Sequence, residues 1–257
     1  MDYLAINRET WNKRTEIHVE SDFYDIDGFL SGNCTLNDIE LSALGDVTNK
    51  TLLHLQCHFG LDTLSWARRG AKVTGVDLSN TAIDKATKFS NQTQLDANFI
   101  CSDVYSFDDI NNQQFDIVFT SYGTICWLPC LKQWAKVIVN SLKKGGTFYI
   151  AEFHPCYDLI SGYSYFDKNQ PDIEEEATYS ENAGDETSKV VLWPHAISSV
   201  INALIDEGLV IEHVNEFPYS PYNCFEGLTE IENGKFALLH KEHNIPLVFS
   251  IKATKPK

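Results

Sequence analysis

Residues 51–77, TLLHLQCHFGLDTLSWARRGAKVTGVD, decide the fold of this 257-residue chain. The apolar run at 52–55 is too short for a helix and is bounded by polar residues, which is typical of a buried strand. A sharp turn over 56–60 leads into a predicted helix that ends near Gly70. A second apolar run follows directly, so this stretch has the order strand, turn, helix, strand.

The second apolar run, residues 73–76, ends on a lone carboxylate, Asp77. From Gly60 to Asp77 the offset is 77 − 60 = 17 residues, close to the roughly 20 residues expected before a ribose-binding acid. The N-terminus of the helix between the two strands offers unpaired N–H groups to a charged ligand. The stretch therefore predicts a βαβ unit that binds the adenosine end of a nucleotide-like cofactor, in an α/β enzyme.

The rest of the chain continues the alternation of strands and helices. Further strands are predicted at 98–101, 115–120, 147–153, 209–217 and 246–254. Helices are predicted after Ser79, between Cys130 and the Gly145-Gly146 pair, and from about His195 to Glu207. We expect a doubly wound, mostly parallel, seven-stranded sheet with helices on both faces. The last two strands lack a helix between them and are expected to pair antiparallel, which closes the sheet.

Two segments lie outside this alternation. Residues 1–45 are predicted to hold a helix over 1–20, an aromatic and acidic loop, and a short helix at 36–44; they form either a lid over the ligand or a cover for the core edge. Residues 156–193 are acidic and long for a connection, which is typical of functional or mobile segments. We expect irregular structure or a small hairpin that forms part of a substrate pocket, against the alternative of a solvated flap. The whole chain, 1–257, is interpreted as one domain with this insertion.

The amino-acid composition limits the kinds of binding partner that are expected. The formal charge of −16 repels phosphate backbones and disfavours a nucleic-acid substrate. The seven cysteines are scattered without CxxC pairs, which favours reduced thiols. No apolar segment approaches the roughly 20 residues of a membrane span, and the first residues lack a signal-peptide pattern. We expect a cytoplasmic monomer or homodimer with no nucleic-acid or membrane partner.

From about residue 50 to 154 the sequence resembles the class I S-adenosylmethionine-dependent methyltransferases. The stretch LLHLQCHFG stands where that family has an acid followed by a Gly-x-Gly-x-Gly turn. His54 takes the place of the acid, Gln56 and His58 take the places of the first two glycines, and Gly60 is retained. Since glycine permits positive φ, the resemblance implies a somewhat altered turn whose new side chains touch the methionine part of the cofactor.

Three later stretches, GVDLS, CSDV and FDIVFTSYG, are similar to further motifs of the family. The resemblance implies that Asp77 holds the ribose hydroxyls, that Asp103 contacts the adenine amino group, and that Ser121 faces the sulfur region. The residues expected to bind S-adenosylmethionine are Gln56, Cys57, His58, Phe59, Gly60, Asp77, Leu78, Asp103, Val104 and Ser121.

The implied reaction is in-line methyl transfer to a small-molecule acceptor, in which the enzyme mainly aligns the reactants. His154 follows the fifth strand and is a candidate general base, while Tyr122 is a candidate catalytic residue that faces the sulfur region. Tyr24 and Trp127 are candidates for the acceptor pocket. Ordinary packing, or a hydrogen bond to a nearby loop, remains the alternative for each of these residues. No metal site is expected, because the Cys-His adjacency lacks the spacing of zinc ligands.

Two other functions remain open at this point. A nicotinamide-dependent oxidoreductase would share the βαβ unit and the terminal acid, but its pyrophosphate needs the early glycines that QCHFG lacks. A non-catalytic protein with a vestigial fold would have a blocked or empty cofactor pocket.

Overall fold

A computed structural model describes all residues, 1–257, and has one large sheet flanked by helices, with three small two-stranded sheets outside it. The helices are α1 (Tyr3–His18), α2 (Ile26–Leu30), α3 (Asp38–Leu44), α4 (Leu61–Arg68), α5 (Asn80–Thr93), α6 (Val104–Ile110), α7 (Leu131–Ser141), α8 (Cys156–Ile160) and α9 (Ile197–Asp206). The strands are β1 (Thr51–Leu55), β2 (Lys72–Asp77), β3 (Ala97–Cys101), β4 (Phe115–Ser121), β5 (Leu142–Phe153), β6 (Asp172–Ala177), β7 (Thr187–Leu192), β8 (Val210–Phe217), β9 (Thr229–Glu232), β10 (Lys235–Ala237), β11 (Leu239–His240), β12 (His243–Asn244) and β13 (Val248–Thr254).

The central sheet has seven strands in the order β3-β2-β1-β4-β5-β13-β8. Strands β1 to β5 run parallel to one another, and β13 is antiparallel to both β5 and β8. The predicted seven-stranded, mostly parallel sheet with an antiparallel strand near the C-terminus is confirmed. Because β1 to β5 run in one direction, their carboxyl ends meet at one edge, where ligands of such sheets bind.

The core lies on both faces of the sheet, as continuous apolar strands require. One buried cluster joins β4 and β5 to α7 and α9, with Trp134 and Leu204 among its members. The other joins the opposite face of the same strands to α3 and α4, through Trp66 and Phe119. The doubly wound architecture with helices on both faces is thus also confirmed.

The prediction for the start of β5 was wrong. Helix α7 already ends at Ser141, and the strand begins at Leu142, ahead of the glycine pair. Gly145 has φ +78°, and a Cβ on Gly146 would lie 2.9 Å from the backbone oxygen of Lys143. The pairing of β4 with β5 also shifts register at this point. The two glycines therefore form an irregularity inside the strand and do not end the helix.

The two outer segments contain more regular structure than the sequence pattern showed. The predicted loop after α1 contains helix α2, whose Phe29 is buried. Residues 156–193 contain the antiparallel hairpin β6–β7, as one of the two expected forms. Helix α6 and the short antiparallel pairs between 229 and 244 were not predicted.

Candidate functional site

A cavity of about 570 Å³ opens at the carboxyl edge of the parallel strands, within the size range of ligand pockets. Its lining includes every residue expected to bind the cofactor, together with Tyr24, Tyr122 and Trp127. His154 is not part of the lining. The structure thus brings together all the predicted site residues except the candidate general base.

The turn between β1 and α4 keeps a glycine-like backbone without most of the glycines. Gln56 has φ +56°, His58 has φ +51° and Gly60 has φ +77°. These are the three positions at which the family has glycine, so the expected alteration of the turn is confined to the side chains. A non-glycine residue in this region costs about 1–2 kcal/mol, and such strain persists only where the surroundings over-determine it.

Specific contacts hold the two strained residues. The side-chain amide of Gln56 donates to the carbonyl oxygen of Thr124 at 2.8 Å, whereas its buried Oε1 has no protein partner. The backbone N–H of His58 donates to Asp77 Oδ2 at 2.7 Å. The His58 ring packs on Phe59 and Trp11, with centroid distances of 4.0 and 5.1 Å.

The two acids expected at the adenosine also organise the backbone around them. Asp77 accepts hydrogen bonds from the N–H groups of His58 and Ser79, and burial raises the pKa of its carboxyl to about 6. Asp103 caps α6, since its Oδ1 accepts from the N–H groups of Tyr105 and Ser106 at 3.0 Å each. Both carboxylates also line the cavity.

The loop that carries Tyr122 and Trp127 is held by Glu152, which sequence reasoning missed. This carboxylate is 3% exposed and accepts from the N–H and hydroxyl of Thr124 at 2.8 Å each. The N–H groups of Gly123 and Ile125 donate to it as well. A buried acid in the predicted fifth strand was the available signal, because such a group has to find donors.

A second missed group, Glu40 on α3, bonds to Tyr122. The Tyr122 hydroxyl donates to Glu40 Oε2 at 3.0 Å, and Tyr122 itself has φ +42°. Glu40 is fully buried; burial, and then the nearby Asp62, raise the pKa of its carboxyl to about 7.

Asp62 lies in the first turn of α4 and also lines the cavity. It accepts from the hydroxyls of Thr35 at 2.6 Å and Ser121 at 3.3 Å. Burial raises the pKa of this carboxyl to about 6. Asp62 was also absent from the predicted site, although its place in the first turn after QCHFG could have indicated it.

Helix α1 and the hairpin β6–β7 meet beside the cavity. The Arg14 guanidinium lies 5.6 Å from the ring centre of Trp11 and 5.5 Å from that of Trp127. It pairs with Glu176 of the hairpin at 2.7 Å, while its buried Nε has no partner. Arg14 is the only Lys or Arg in the cavity lining. Tyr24 reaches the same hairpin through a hydrogen bond between its hydroxyl and that of Tyr179.

A further part of the lining comes from the segment after β8. Tyr222, Cys224 and Phe225 line the cavity beside Phe153, and the rings of Phe153 and Phe225 lie 4.7 Å apart in an edge-to-face arrangement. Sequence reasoning placed the substrate side in 156–193 and did not include this segment. Its mixture of proline, tyrosine and cysteine gave no helical or strand period by which to place it.

His154 lies away from the cavity and is 4% exposed. Its Nε2 is 2.7 Å from Glu216 Oε1, and its Nδ1 accepts from the N–H of Cys156 at 3.0 Å. Burial lowers the pKa of the imidazole, against the opposing effect of Glu216. Both ring nitrogens are engaged by protein groups, so this histidine joins the end of β5 to β8 and is not placed to meet a ligand.

Comparison with known proteins agrees with the fold. A family model described as a methyltransferase domain matches residues 53–150. This part of the chain therefore matches a methyltransferase domain. The match covers β1 to β5 and hence the turn, Asp77, Asp103, Ser121 and Tyr122.

Among curated proteins, the chain is similar to the ubiquinone biosynthesis O-methyltransferase of Coxiella burnetii, with 32% identity over 102 residues, which is 40% of this chain and 43% of that protein. The corresponding enzyme of Shewanella pealeana is 32% identical over 140 residues, or 53% of this chain and 58% of that protein. The chain therefore spans about half the length of the curated relatives it matches.

Solved structures match over a greater length. A methyltransferase described as S-adenosylmethionine-dependent, from Methanosarcina mazei, has a TM-score of 0.59 and 19% identity, covering 86% of this chain and 98% of its own. The glycopeptide N-methyltransferase MtfA, solved with S-adenosylmethionine, has a TM-score of 0.57 and 14% identity, covering 85% and 92%. No helix of the chain is both long and apolar enough to cross a membrane.

Proposed function

We propose that this protein transfers a methyl group from S-adenosylmethionine to a small-molecule acceptor. The observation that carries the proposal is the cavity at the carboxyl edge of the sheet. It is lined in order by Asp103 after β3, Asp77 at the end of β2, and the positive-φ turn after β1. This order follows an adenine, a ribose and a methionine chain along the edge, as the family resemblance implies.

Two buried atoms without a hydrogen-bond partner support the fit of the methionine end of S-adenosylmethionine to the cavity. Gln56 Oε1 needs a donor and Arg14 Nε needs an acceptor, and neither has one within the protein. An amino acid supplies both, as an ammonium and a carboxylate, and a buried polar atom gains about 1–3 kcal/mol from being satisfied. Gln56 and Arg14 are therefore proposed to hold that end of the cofactor.

The charges around the cavity disfavour a dinucleotide. Besides Arg14, the charged residues in the lining are Asp25, Asp62, Asp77, Asp103 and Glu176. A pyrophosphate would meet this acidic lining with one arginine, whereas S-adenosylmethionine has no phosphate and carries a cationic sulfur. The open cavity also differs from the blocked pocket that a vestigial fold would have.

The protein's own contribution to the reaction is alignment. Bound in the cavity, S-adenosylmethionine would supply a methyl group on a sulfonium that is open to nucleophilic attack. Tyr122, Phe153 and Phe225 form an aromatic wall of the cavity, and this wall would hold a flat acceptor. Trp127 is fixed by a bond from its Nε1 to the Gly123 carbonyl oxygen at 2.9 Å. Such positioning is the main source of rate in a transfer between two bound reactants.

Three of the proteins named above support a small acceptor, since two are ubiquinone biosynthesis O-methyltransferases and one is a glycopeptide N-methyltransferase. The net charge of −16 supports the exclusion of nucleic acid. The proposal also includes a cytoplasmic location and a monomeric or homodimeric state. Residues 1–45 would form a lid over the ligand, and residues 156–193 would lie on the substrate side.

The substitution Asp77→Ala tests the cofactor site. We expect the dissociation constant of S-adenosylmethionine, measured by calorimetry, to rise at least tenfold, equivalent to about 1.4 kcal/mol. Asp84→Ala, which removes an exposed acid of α5, is the matched control and should bind normally. An unchanged affinity in Asp77→Ala would contradict the assignment. In thermal-shift assays on the wild type, S-adenosylmethionine should stabilise the protein and NAD should not.

A further inference from the structure

Glu40 has a buried carboxylate whose two oxygens accept hydrogen bonds from different groups. Its Oε1 accepts from the N–H of Asn37 at 2.6 Å and closes the capping box of α3. Its Oε2 accepts only from the Tyr122 hydroxyl. A capping box forms equally well with glutamine, so the fold at this point does not require an acid.

The surroundings of Glu40 contain no cation to neutralise it. The titratable groups that face it are Asp62 on α4, Tyr122 after β4, Tyr149 on β5, and Tyr219 and Tyr222 in the segment after β8. All of these groups are acidic or phenolic. A carboxylate in such a place takes up a proton readily, which is the property of a proton acceptor.

Tyr122 connects this carboxylate to the cavity. It lines the cavity and stands directly after β4 with a positive φ, a strained conformation that clusters at functional sites. Its ring lies 5.1 Å from that of Tyr222 and 5.6 Å from that of Phe153. The phenol is therefore held on one side by the acid and placed on the other beside the rings of Tyr222 and Phe153.

We propose that Tyr122 accepts the proton of an aromatic alcohol bound in the cavity while it passes its own proton to Glu40. The inference rests on the proposed function and names its acceptor class. The acceptor oxygen forms a bond to the methyl carbon as the carbon–sulfur bond breaks, and that electron pair stays on sulfur. The acceptor's O–H proton goes to Tyr122 Oη, the phenol proton goes to Glu40 Oε2, and S-adenosylhomocysteine leaves as the neutral thioether. Tyr122 is then the catalytic residue and Glu40 a positioning residue that stores the proton.

The pKa of Glu40 suits a role as the final proton acceptor. Burial raises the pKa of its carboxyl to about 7, and a general base works best with a pKa near the working pH. A hydroxyl acceptor needs such a base because it is neutral and weakly nucleophilic until it loses its proton.

The test compares two acceptors in three variants, Glu40→Gln, Tyr122→Phe and Asp62→Asn. Catechol needs a base at neutral pH, whereas 4-nitrocatechol is acidic enough to ionise without one. Methyl transfer from labelled S-adenosylmethionine gives kcat and KM for each acceptor. We expect Glu40→Gln and Tyr122→Phe to lower kcat for catechol about 100-fold, to affect 4-nitrocatechol much less, and to leave cofactor affinity unchanged. The rise of the wild-type rate through about pH 7 should disappear in Glu40→Gln.

Other outcomes overturn the proposal in distinguishable ways. An equal loss for both acceptors in Glu40→Gln, or no loss, would show that Glu40 only supports the fold. Loss of the pH dependence in Asp62→Asn, with Glu40→Gln unaffected, would transfer the role to Asp62. If the wild type binds S-adenosylmethionine but methylates no member of a panel of phenols and catechols, the hydroxyl acceptor is wrong and the proposed function still stands. Failure to bind S-adenosylmethionine at all would remove both.

Discussion

At the scale of single residues, the turn after β1 shows that residues other than glycine can adopt a backbone conformation typical of glycine. Gln56 and His58 adopt the left-handed conformation with side chains that disfavour it. Each has a local compensation, a hydrogen bond to Thr124 for Gln56 and aromatic packing for His58. The strain and its compensation can therefore be measured separately.

Replacing Gln56 by glycine or by alanine isolates the strain, since both variants lose the bond to Thr124. We expect Gln56→Gly to be about 1 kcal/mol more stable than Gln56→Ala, because only alanine retains a Cβ that conflicts with φ +56°. Denaturant unfolding of the two variants measures the difference. Gln94, which has φ +55° at the exposed end of α5, provides the same pair of substitutions away from the cavity. Equal stability of the two variants at position 56 would mean that the turn relaxes.

At the scale of elements, helix α1 explains why its own sequence pattern was hard to interpret. Its buried residues are polar, namely Asn7, Thr10, Arg14, Thr15 and His18. Several of them bond to the hairpin β6–β7. Asn7 donates to the Val191 carbonyl oxygen and accepts from the Val191 N–H, both at 3.0 Å, as a neighbouring strand would. The helix therefore has a hydrogen-bonding face where most helices have an apolar one.

Removing the Asn7 amide tests whether this face holds the two segments together. In Asn7→Ala, Val191 loses both partners of its buried backbone groups, which costs about 1–3 kcal/mol. We expect faster amide hydrogen exchange in β7 and α1, and little change in β1 to β5. The control is Arg8→Ala, which alters the exposed face of the same helix. Exchange rates equal to those of the wild type in β7 would indicate that the aromatic contacts alone fix the hairpin.

The parts of the fold that were predictable are those with local periodic signals. The seven strands of the sheet and most of its helices follow from apolar runs, alternation and glycine stops, and the family motifs indicated residues that line the cavity. Glu40 and the segment 222–225 were not predictable, and Asp62 and Glu152 gave only an indirect signal, because the roles of all four depend on contacts between residues distant in the chain. Gly145 and Gly146 were misinterpreted for a related reason, since a glycine pair signals a break but not whether a helix or a strand contains it.

At the scale of the whole molecule, buried acids and neutral histidines lie in the cavity lining or pack directly against it. Burial raises the pKa values of Glu40, Asp62 and Asp77 to about 7, 6 and 6. Burial also lowers the pKa values of His18 and His54 to about 3. The acids make the folded state bind more protons than the unfolded chain, and the histidines make it bind fewer. Their contributions to the pH dependence of stability therefore oppose each other below about pH 6.

Glu40 has the highest pKa of these carboxyl groups, so its effect on stability is the easiest to separate near neutral pH. Its pKa rises from 4.5 in the unfolded chain to about 7 in the folded protein, so its contribution to stability falls as pH rises through that range. We expect Glu40→Gln to have a higher melting temperature than the wild type at pH 8, and the gap to close at pH 5. The difference in unfolding free energy should be at most about 3 kcal/mol. Glu20→Gln, an exposed substitution, should show no such trend, and a gap independent of pH would contradict the raised pKa.

The turn at 56–60 also bears on how such a binding loop changes over evolution. The strain at the two residues is offset by different contacts. Gln56 is hydrogen-bonded to the loop after β4, whereas His58 packs against helix α1 and its own neighbour Phe59. A glycine at either position can therefore be replaced independently of the other, provided that the contacts that stabilise the new side chain are already present. A search pattern that demands glycine would pass over such descendants, whereas one that demands three left-handed residues at alternate positions would find them.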